Sequence, residues 1–360
     1  MNKIIKKIKL KDLGYNDYFE NNYSSIVPKN LILARIISEH KGLYILRDET
    51  HEFSAKITGK MRFTALSRED YPAIGDWVLT KKKDDKNAVI QEILPRKTVL
   101  QRKVVGKSEL QIISSNIDIA FIVQSTDRDY SLNRFERYLS LVKSGNIKPV
   151  IVLNKIDLIS DIELEIKVSE IKTRFHNIDV YITSIITGKG IDDLKSSIKK
   201  GLTYCFIGSS GVGKSSIINA LMGNDLIETG EIGSYANRGK HITSSREVFI
   251  LESGGLLIDT PGMREIGILD SDTGIKDTFF EIYEMSKECK FSNCKHINEP
   301  SCAVLEAVNS GDLDKDRYDN YIKLLKENEY NTMTKAKKRE KDRNFGKFIK
   351  TSKKEIKKNR

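Results

Sequence analysis

Residues 203–222 read TYCFI-GSSGVGKS-SIINALM, and the fold turns on them. The run Thr203–Ile207 has the composition of a buried strand. Ser216, Ile217, Ile218, Ala220 and Leu221 have helical spacing. Between them, Gly208-Ser-Ser-Gly-Val-Gly-Lys-Ser215 matches G-x-x-x-x-G-K-[ST] in the strand–loop–helix setting that pattern requires. Glycines let the backbone curl until its N–H groups converge on a phosphate, and the helix N-terminus adds partial positive charge. The residues expected around a nucleotide here are Gly208, Ser209, Ser210, Gly211, Val212, Gly213, Lys214, Ser215 and Ser216. Lys214 would reach the β/γ oxygens and assist transfer of the γ-phosphoryl group to water, and the Ser215 hydroxyl would ligate Mg²⁺. A chance Gly/Ser-rich turn would not need the strand and helix on either side.

Outward from this loop the pattern is α/β. Apolar runs fall at 117–123, 149–153, 180–183 and 256–258, and helical patterns alternate with them at about 131–144, 161–174, 190–200 and 214–222. Such alternation predicts a mostly parallel sheet covered on both faces. Asn154-Lys155-Ile156-Asp157 closes one strand, at the carboxyl edge that faces the ligand crevice. A carboxylate there can accept both N1–H and the 2-amino group of guanine, a donor pair adenine lacks, so Asp157 would select GTP. Asn154 would tie the base edge to the phosphate loop, and the stem of Lys155 would cover the purine. Thr183-Ser184-Ile185 follows the next strand, where a backbone amide would meet the guanine O6. Asp259-Thr-Pro-Gly262 follows a further strand. Asp259 could hold Mg²⁺ through water and the Gly262 N–H could sense the γ-phosphate. The order is base motif, second base motif, phosphate loop, then Asp-Thr-Pro-Gly. In a Ras-like chain the phosphate loop comes first, so this order implies a circular permutation.

The chain of 360 residues has room for two or three domains. With 39% hydrophobic and 31% charged residues it is neither disordered nor a membrane protein in composition. No run approaches the ~18 apolar residues of a membrane helix, and the basic N-terminus lacks an apolar signal region, so a cytoplasmic protein is expected. Short β-rich runs at 31–38, 43–47, 52–57, 76–81 and 88–93, separated by Gly, Asp, Asn and Pro, predict a small OB-type barrel, with Trp77 as a core anchor. Residues 1–30 predict a short helix or ordered arm. Residues 95–116, with Arg96, Lys97, Arg102, Lys103 and Lys107, lack periodicity and read as a linker that could touch phosphate. Net charge is +11, but residues 335–360 hold 13 Lys/Arg against 3 Asp/Glu, so the remainder is nearly neutral. A basic block is either a solvated tail or a nucleic-acid arm.

Three of the four cysteines, Cys289, Cys294 and Cys302, lie within 14 residues and enclose His296. In a chain with no secretory signal this spacing favours a metal over disulfides. A Cys₃His set with no spare position suits a structural Zn²⁺ site, one ion per chain, in an otherwise polar region. Buried cysteines beside a surface histidine are the alternative. Cys205 reads as a core residue.

These motifs together resemble the bacterial ribosome small subunit-dependent GTPase A family. The resemblance rests on Gly75-Asp-Trp77, Asn154–Asp157, Ser184, Gly208–Ser215, Gly239-Lys-His241, Asp259–Gly262 and the Cys₃His set, and covers about residues 31–330. It implies a multidomain chain: an N-terminal OB-fold β-barrel, a circularly permuted α/β P-loop GTPase domain, and a small C-terminal helical zinc-binding domain. It also implies GTP hydrolysis in late maturation of the small ribosomal subunit, with rRNA bound and the subunit stimulating turnover. The expected divisions are an arm over 1–30, the barrel over 31–102, a linker over 103–116, the GTPase domain over 117–272, the zinc-binding domain over 273–334 and the tail over 335–360, in a monomer. The resemblance departs at two points. Family members usually carry Thr-Thr after the switch histidine, but this chain has Ile242-Thr243, which leaves Thr243 as the Mg²⁺ ligand. The usual Ala after Ser184 is Ile185. Met263 occupies the place of the water-orienting Gln of Ras-like enzymes, so His241 is the candidate for that role, against an exposed or RNA-contacting loop histidine. Two rival readings are a non-enzymatic RNA-binding module whose nucleotide site is structural, and a permuted GTPase of large-subunit assembly.

Overall fold

The computed structural model describes residues 7–23, 28, 30–40, 42–103, 110–127, 130–223, 246–259, 272–333, 337 and 343. After a short helix α1 (Asp17–Tyr23) come β1 (Ile32–His40), β2 (Leu43–Arg47), β3 (Glu52–Ile57), helix α2 (Gly59–Thr64), β4 (Trp77–Lys82) and β5 (Asn87–Ile93). Their order is β1-β2-β3-β5-β4, and β4 pairs back onto β1. That closure makes a five-stranded barrel. Ala34, Ile36, Leu46, Phe53, Val78 and Ile90 fill it. Trp77 is fully buried, not in the barrel centre but under the N-terminal arm, where Tyr15 meets it edge-on with ring centroids 5.0 Å apart.

Residues 95–116 differ from the linker expected of them. They carry β6 (Val99–Lys103) and β7 (Leu110–Ser115), an antiparallel hairpin. Leu100, Ile112 and Ile113 are buried, and apolar positions broken by a bulge between Leu100 and Gln101 hide the period from a sequence reading. Two of the cations there are committed to structure. Arg96 grips Asp76 through two bonds of 2.8 Å, and Lys97 pairs with Asp118 at 3.2 Å.

The α/β part follows with β8 (Ile119–Ser125), α3 (Leu132–Ser144), β9 (Lys148–Asn154), α4 (Asp161–Arg174), β10 (Val180–Thr183), α5 (Ile191–Ser197), β11 (Thr203–Ile207), α6 (Lys214–Met222), β12 (Arg246–Ile250) and β13 (Leu256–Asp259). The sheet order is β10-β9-β8-β11-β13-β12, parallel except for β12. Both faces are buried, as the continuous apolar runs require. Ile122, Ile151, Leu153 and Cys205 pack under α3 and α4, while Phe121, Val123, Val152 and Phe206 pack under α5 and α6. Burial pushes the Cys205 thiol up to about 12, in keeping with a core residue.

The barrel is not a bead on a string. The end of β1 pairs with β12, Ser38 opposite Glu247 and Glu39 opposite Arg246, so one 11-stranded sheet runs through both parts. Arg35, fully buried, clamps the seam. It donates to the carbonyls of Leu13, Gly75 and Asn116 and to the Thr203 hydroxyl at the foot of β11. Burial lowers its pKa to about 10, with Asp118 and Asp76 opposing, so it remains charged at neutral pH.

Four helices complete the described chain: α7 (Asp272–Thr278), α8 (Phe280–Ser286), α9 (Ala303–Ser310) and α10 (Lys315–Thr332). They have a small apolar core of their own, including Ile275, Phe279, Ile282, Val304, Leu313 and Leu324, so a bound metal is not their only cohesion. This corrects the reading of the region as merely polar. The i, i+3, i+4 spacing of these residues is spread over several short helices, which masks it. Helix α7 lies so close on α3 that a Cβ at Gly274 would stand 2.2 Å from the Ser140 carbonyl. Beside it the wholly buried Glu136 of α3 accepts from Arg174 Nε (2.8 Å), Arg317 Nη1 (2.6 Å) and Asn320 Nδ2 (2.5 Å). Among the described residues no helix is long and apolar enough to cross a membrane.

Candidate nucleotide site and metal centre

Strand β11 ends at the phosphate loop, with β8 on one side and β13 on the other. Its glycines are dictated by sterics. Gly208 has φ +147°, and a Cβ there would stand 2.2 Å from the Val123 carbonyl. Gly213 has φ +96°, and a Cβ would stand 2.2 Å from Asn154 Nδ2. Side chains rarely adopt such φ values, so only glycine brings the loop this close to β8 and β9. Val212 is buried under the loop. Ser209 lies 3.4 Å from the Tyr138 hydroxyl, and Ser210 and Gly211 are exposed at the loop tip. Gly213 caps α6, whose first residues Lys214, Ser215 and Ser216 are half-buried at the helix N-terminus. Lys214 Nζ donates to the carbonyls of Gly208 (2.8 Å) and Ser209 (2.5 Å), folding over the loop it would share with a phosphate.

The base motif is joined to this loop directly. Asn154, at the end of β9, donates from Nδ2 to the Val212 carbonyl at 2.8 Å and accepts from the Thr183 hydroxyl at 3.0 Å. Lys155 then takes a left-handed conformation (φ +61°), and a tight turn over Ile156–Leu158 follows. Ile156 is buried and anchors that turn instead of lining the crevice. The turn leaves Asp157 exposed, and the Ser184 hydroxyl donates to its Oδ1 at 2.5 Å. The Ser184 amide is spent on the Lys189 carbonyl at 3.0 Å, which leaves its hydroxyl as the group turned onto the base motif. Lys155 Nζ pairs with Asp127 at 3.2 Å, which orients its stem. Asp127 gives no sequence signal of this kind, because it belongs to the loop after β8 and meets Lys155 only in three dimensions.

Strand β13 is parallel to β11, Ile258 opposite Cys205, so its last residue, Asp259, falls at the same end of the sheet as the phosphate loop. His241, Ile242, Thr243, Gly262 and Met263 lie outside the described residues, as do residues 335–360 apart from Lys337 and Arg343.

The second cluster is compact. The ligand atoms of Cys289, Cys294, His296 and Cys302 all lie within 4.8 Å of one another. Cys289 Sγ is 3.8 Å from Cys302 Sγ and 3.6 Å from His296 Nδ1, and Cys302 Sγ is 3.4 Å from the same nitrogen. A tetrahedral Zn²⁺ with Zn–S about 2.3 Å and Zn–N about 2.0–2.1 Å needs edges of about 3.8 Å (S···S) and about 3.5 Å (S···N). The three edges among Cys289, His296 and Cys302 match these values, and Cys294 Sγ completes the set within 4.8 Å. His296 adopts φ +59°, and two contacts steady the turn around it. Its carbonyl accepts from the Tyr318 hydroxyl at 2.6 Å, and the Glu299 carboxylate accepts from the amides of Lys295, Ile297 and Asn298. Those amides hold the Glu299 pKa down at about 2. Burial lowers the His296 pKa, keeping its ring neutral, and raises the Cys302 thiol to about 12. A cation would draw that proton off. Glu299 carries no sequence signal, since a capping carboxylate three residues past a ligand has no distinctive pattern.

A parallel run of strands with the phosphate-loop strand at its centre, a guanine-type base motif arriving from an earlier strand, and the antiparallel strand β12 beyond β13 define a circularly permuted P-loop GTPase. Comparison with known proteins agrees. A family model described as RsgA GTPase matches residues 93–269, and one described as 50S ribosome-binding GTPase matches residues 203–338, beginning at β11. The chain is 40% identical over 343 residues to the small ribosomal subunit biogenesis GTPase RsgA 1 of Bacteroides thetaiotaomicron, covering 95% of this chain and 96% of that protein. Among solved structures, YjeQ from Thermotoga maritima superposes with a TM-score of 0.63 at 28% identity, over 83% of this chain and 98% of that one. YloQ, described as a circularly permuted GTPase, gives 0.62 at 27% identity, over 85% and 98%. The chain belongs to the RsgA GTPase family.

Proposed function

We propose that this protein is a GTP hydrolase that acts in late maturation of the small ribosomal subunit, binding rRNA and turning over fastest on the subunit. The observation that carries the reading is the bond from Asn154 to the Val212 carbonyl, together with the Ser184–Asp157 contact: residues that can read guanine are fastened to a loop that can hold its phosphates. Near-full-length relatives named for small-subunit biogenesis favour this over assembly of the large subunit.

In this reading Asp157 accepts the guanine N–H groups, Asn154 sets the distance from base to loop, and the amides of Gly208–Ser216 receive the phosphates. Lys214 exchanges the carbonyls of Gly208 and Ser209 for β/γ oxygens as GTP enters. Ser215, Asp259 and Thr243 would hold Mg²⁺, which would neutralise charge on those oxygens. Gly262 senses the γ-phosphate, and His241 orients the attacking water when the protein is on the subunit. Cys289, Cys294, His296 and Cys302 would hold Zn²⁺ as a structural ion. The working divisions are 1–30, 31–116 (the barrel with the β6–β7 hairpin), 117–272, 273–334 and 335–360, in a cytoplasmic monomer, with the barrel, the zinc-binding helices and the basic tail as RNA contacts. Cosedimentation with isolated ribosomal subunits, comparing GTP, GDP and a non-hydrolysable GTP analogue, tests it. Nucleotide-dependent binding to the small subunit is expected. Equal or absent binding in all states would overturn it.

A further inference from the structure

The barrel carries two large apolar side chains at almost full exposure, Phe63 at 91% and Leu66 at 97%. They stand on a fixed backbone. Thr58 caps α2 by accepting from the Met61 amide at 3.0 Å, and Met61 packs onto the barrel core. In the following turn the Asp70 carboxylate accepts from the amides of Leu66 (2.8 Å) and Ser67 (2.9 Å). Arg96, itself locked on Asp76, donates to the carbonyls of Glu69 and Tyr71, each at 2.8 Å. A protein that spends this many contacts to hold a phenylalanine and a leucine in water is presenting them to a partner. Their surroundings say which. From Phe53 to Arg68 the chain has Lys56, Lys60, Arg62 and Arg68, and of the carboxylates that follow, Glu69 and Asp70, the latter is turned onto the Leu66 and Ser67 amides. Lys60 and Arg62 are exposed and have no carboxylate partner among the described residues.

A ring face flanked by unpaired cations is how single-stranded nucleic acid is held: bases stack on the ring and phosphates meet the charges. We propose that the α2 corner is an RNA-stacking platform, in which Phe63 stacks on an unpaired base, Leu66 borders it, and Lys60 and Arg62 meet the neighbouring phosphates. This rests on the reading that the barrel faces RNA, and it adds the site and the single-stranded character of what is bound. An apolar groove on a protein would fit the two side chains but not the cations.

The test uses the full chain. Trp77 is the only tryptophan and is fully buried, so Phe63→Trp adds one indole that reports on the corner alone, whatever the basic tail binds. With a 12-nucleotide oligouridylate as probe, its emission should be quenched, and an RNA duplex of the same length should quench it much less. Phe63→Ala should weaken oligouridylate binding roughly 5- to 100-fold. Phe63→Tyr should restore it, Phe63→Leu should not, and Lys60→Glu with Arg62→Glu should also weaken it. Unquenched emission, or full binding by Phe63→Leu, would overturn the platform. If wild-type protein still cosediments with small subunits in that case, the functional reading stands without it; if wild-type protein binds neither subunits nor oligouridylate, both fall.

Discussion

Asn154→Ala removes the side chain that, among the described residues, spans from the base motif to the phosphate loop. Asn154 is 1% exposed, and the mutation deletes its bond to the Val212 carbonyl (2.8 Å) and the bond it receives from Thr183 (3.0 Å). Each buried hydrogen bond contributes about 0.5–1.5 kcal/mol net, so the pair amounts to about 1–3 kcal/mol. About half of this falls on the free protein, which leaves about 0.5–1.5 kcal/mol, an expected loss of about 2- to 13-fold in guanine-nucleotide affinity. GDP and GTP should lose equally, because both use the base site and the loop, and the tie does not touch the γ-phosphate. Asn154→Asp sharpens the test. It can still accept from Thr183 but sets a carboxylate oxygen against the Val212 carbonyl, so it should bind no better than the alanine variant. Calorimetric titration of each variant with GDP and GTP gives the four constants. Wild-type affinity in Asn154→Asp, or a loss confined to GTP, would refute the reasoning.

Four further outcomes are expected. Elemental analysis should find one zinc per chain, and Cys294→Ser should release it and raise protease sensitivity around residues 280–310 while nucleotide binding survives; protein purified without metal would refute the site. Glu136→Ala should destabilise the protein by about 3–5 kcal/mol in urea unfolding, because Arg174 and Arg317 lose a buried carboxylate; a change below about 1 kcal/mol would show that water replaces it without penalty. Deleting residues 335–360 should weaken RNA binding and flatten its log–log salt slope by about 0.7–0.9 for each phosphate the tail neutralises, and an unchanged slope would mark the tail as merely solvated. His241→Ala should keep GTP affinity and subunit binding yet lose about 10²-fold in stimulated turnover, and wild-type turnover would remove His241 from the chemistry.

Much of this architecture is legible in the chain because its strands are buried on both faces or alternate cleanly. The run Thr203–Ile207 is β11 to the residue, and the expected helices at 161–174 and 214–222 match α4 and α6. The barrel strands are found within a residue or two for the same reason. What is not legible depends on pairings between distant segments. The β6–β7 hairpin hides behind a bulge, and β12 is a five-residue strand that follows a long polar stretch. Glu136 reads as a surface charge on a helix until Arg174 and Arg317, 38 and 181 residues away, close over it. In the site, the nucleotide motifs are legible as motifs, but not how they are joined. That Asn154 reaches Val212, that Ser184 uses its hydroxyl on Asp157, and that Ile156 faces the core all follow from the left-handed turn at Lys155, which its sequence does not announce.

Phosphate release from GTP, measured alone and with saturating small or large ribosomal subunits, tests the central claim most directly. Slow release by the protein alone, a large acceleration by small subunits and little by large ones, and no release from ATP are the results this structure predicts. Release that small subunits leave unchanged, or that large subunits accelerate more, would contradict it.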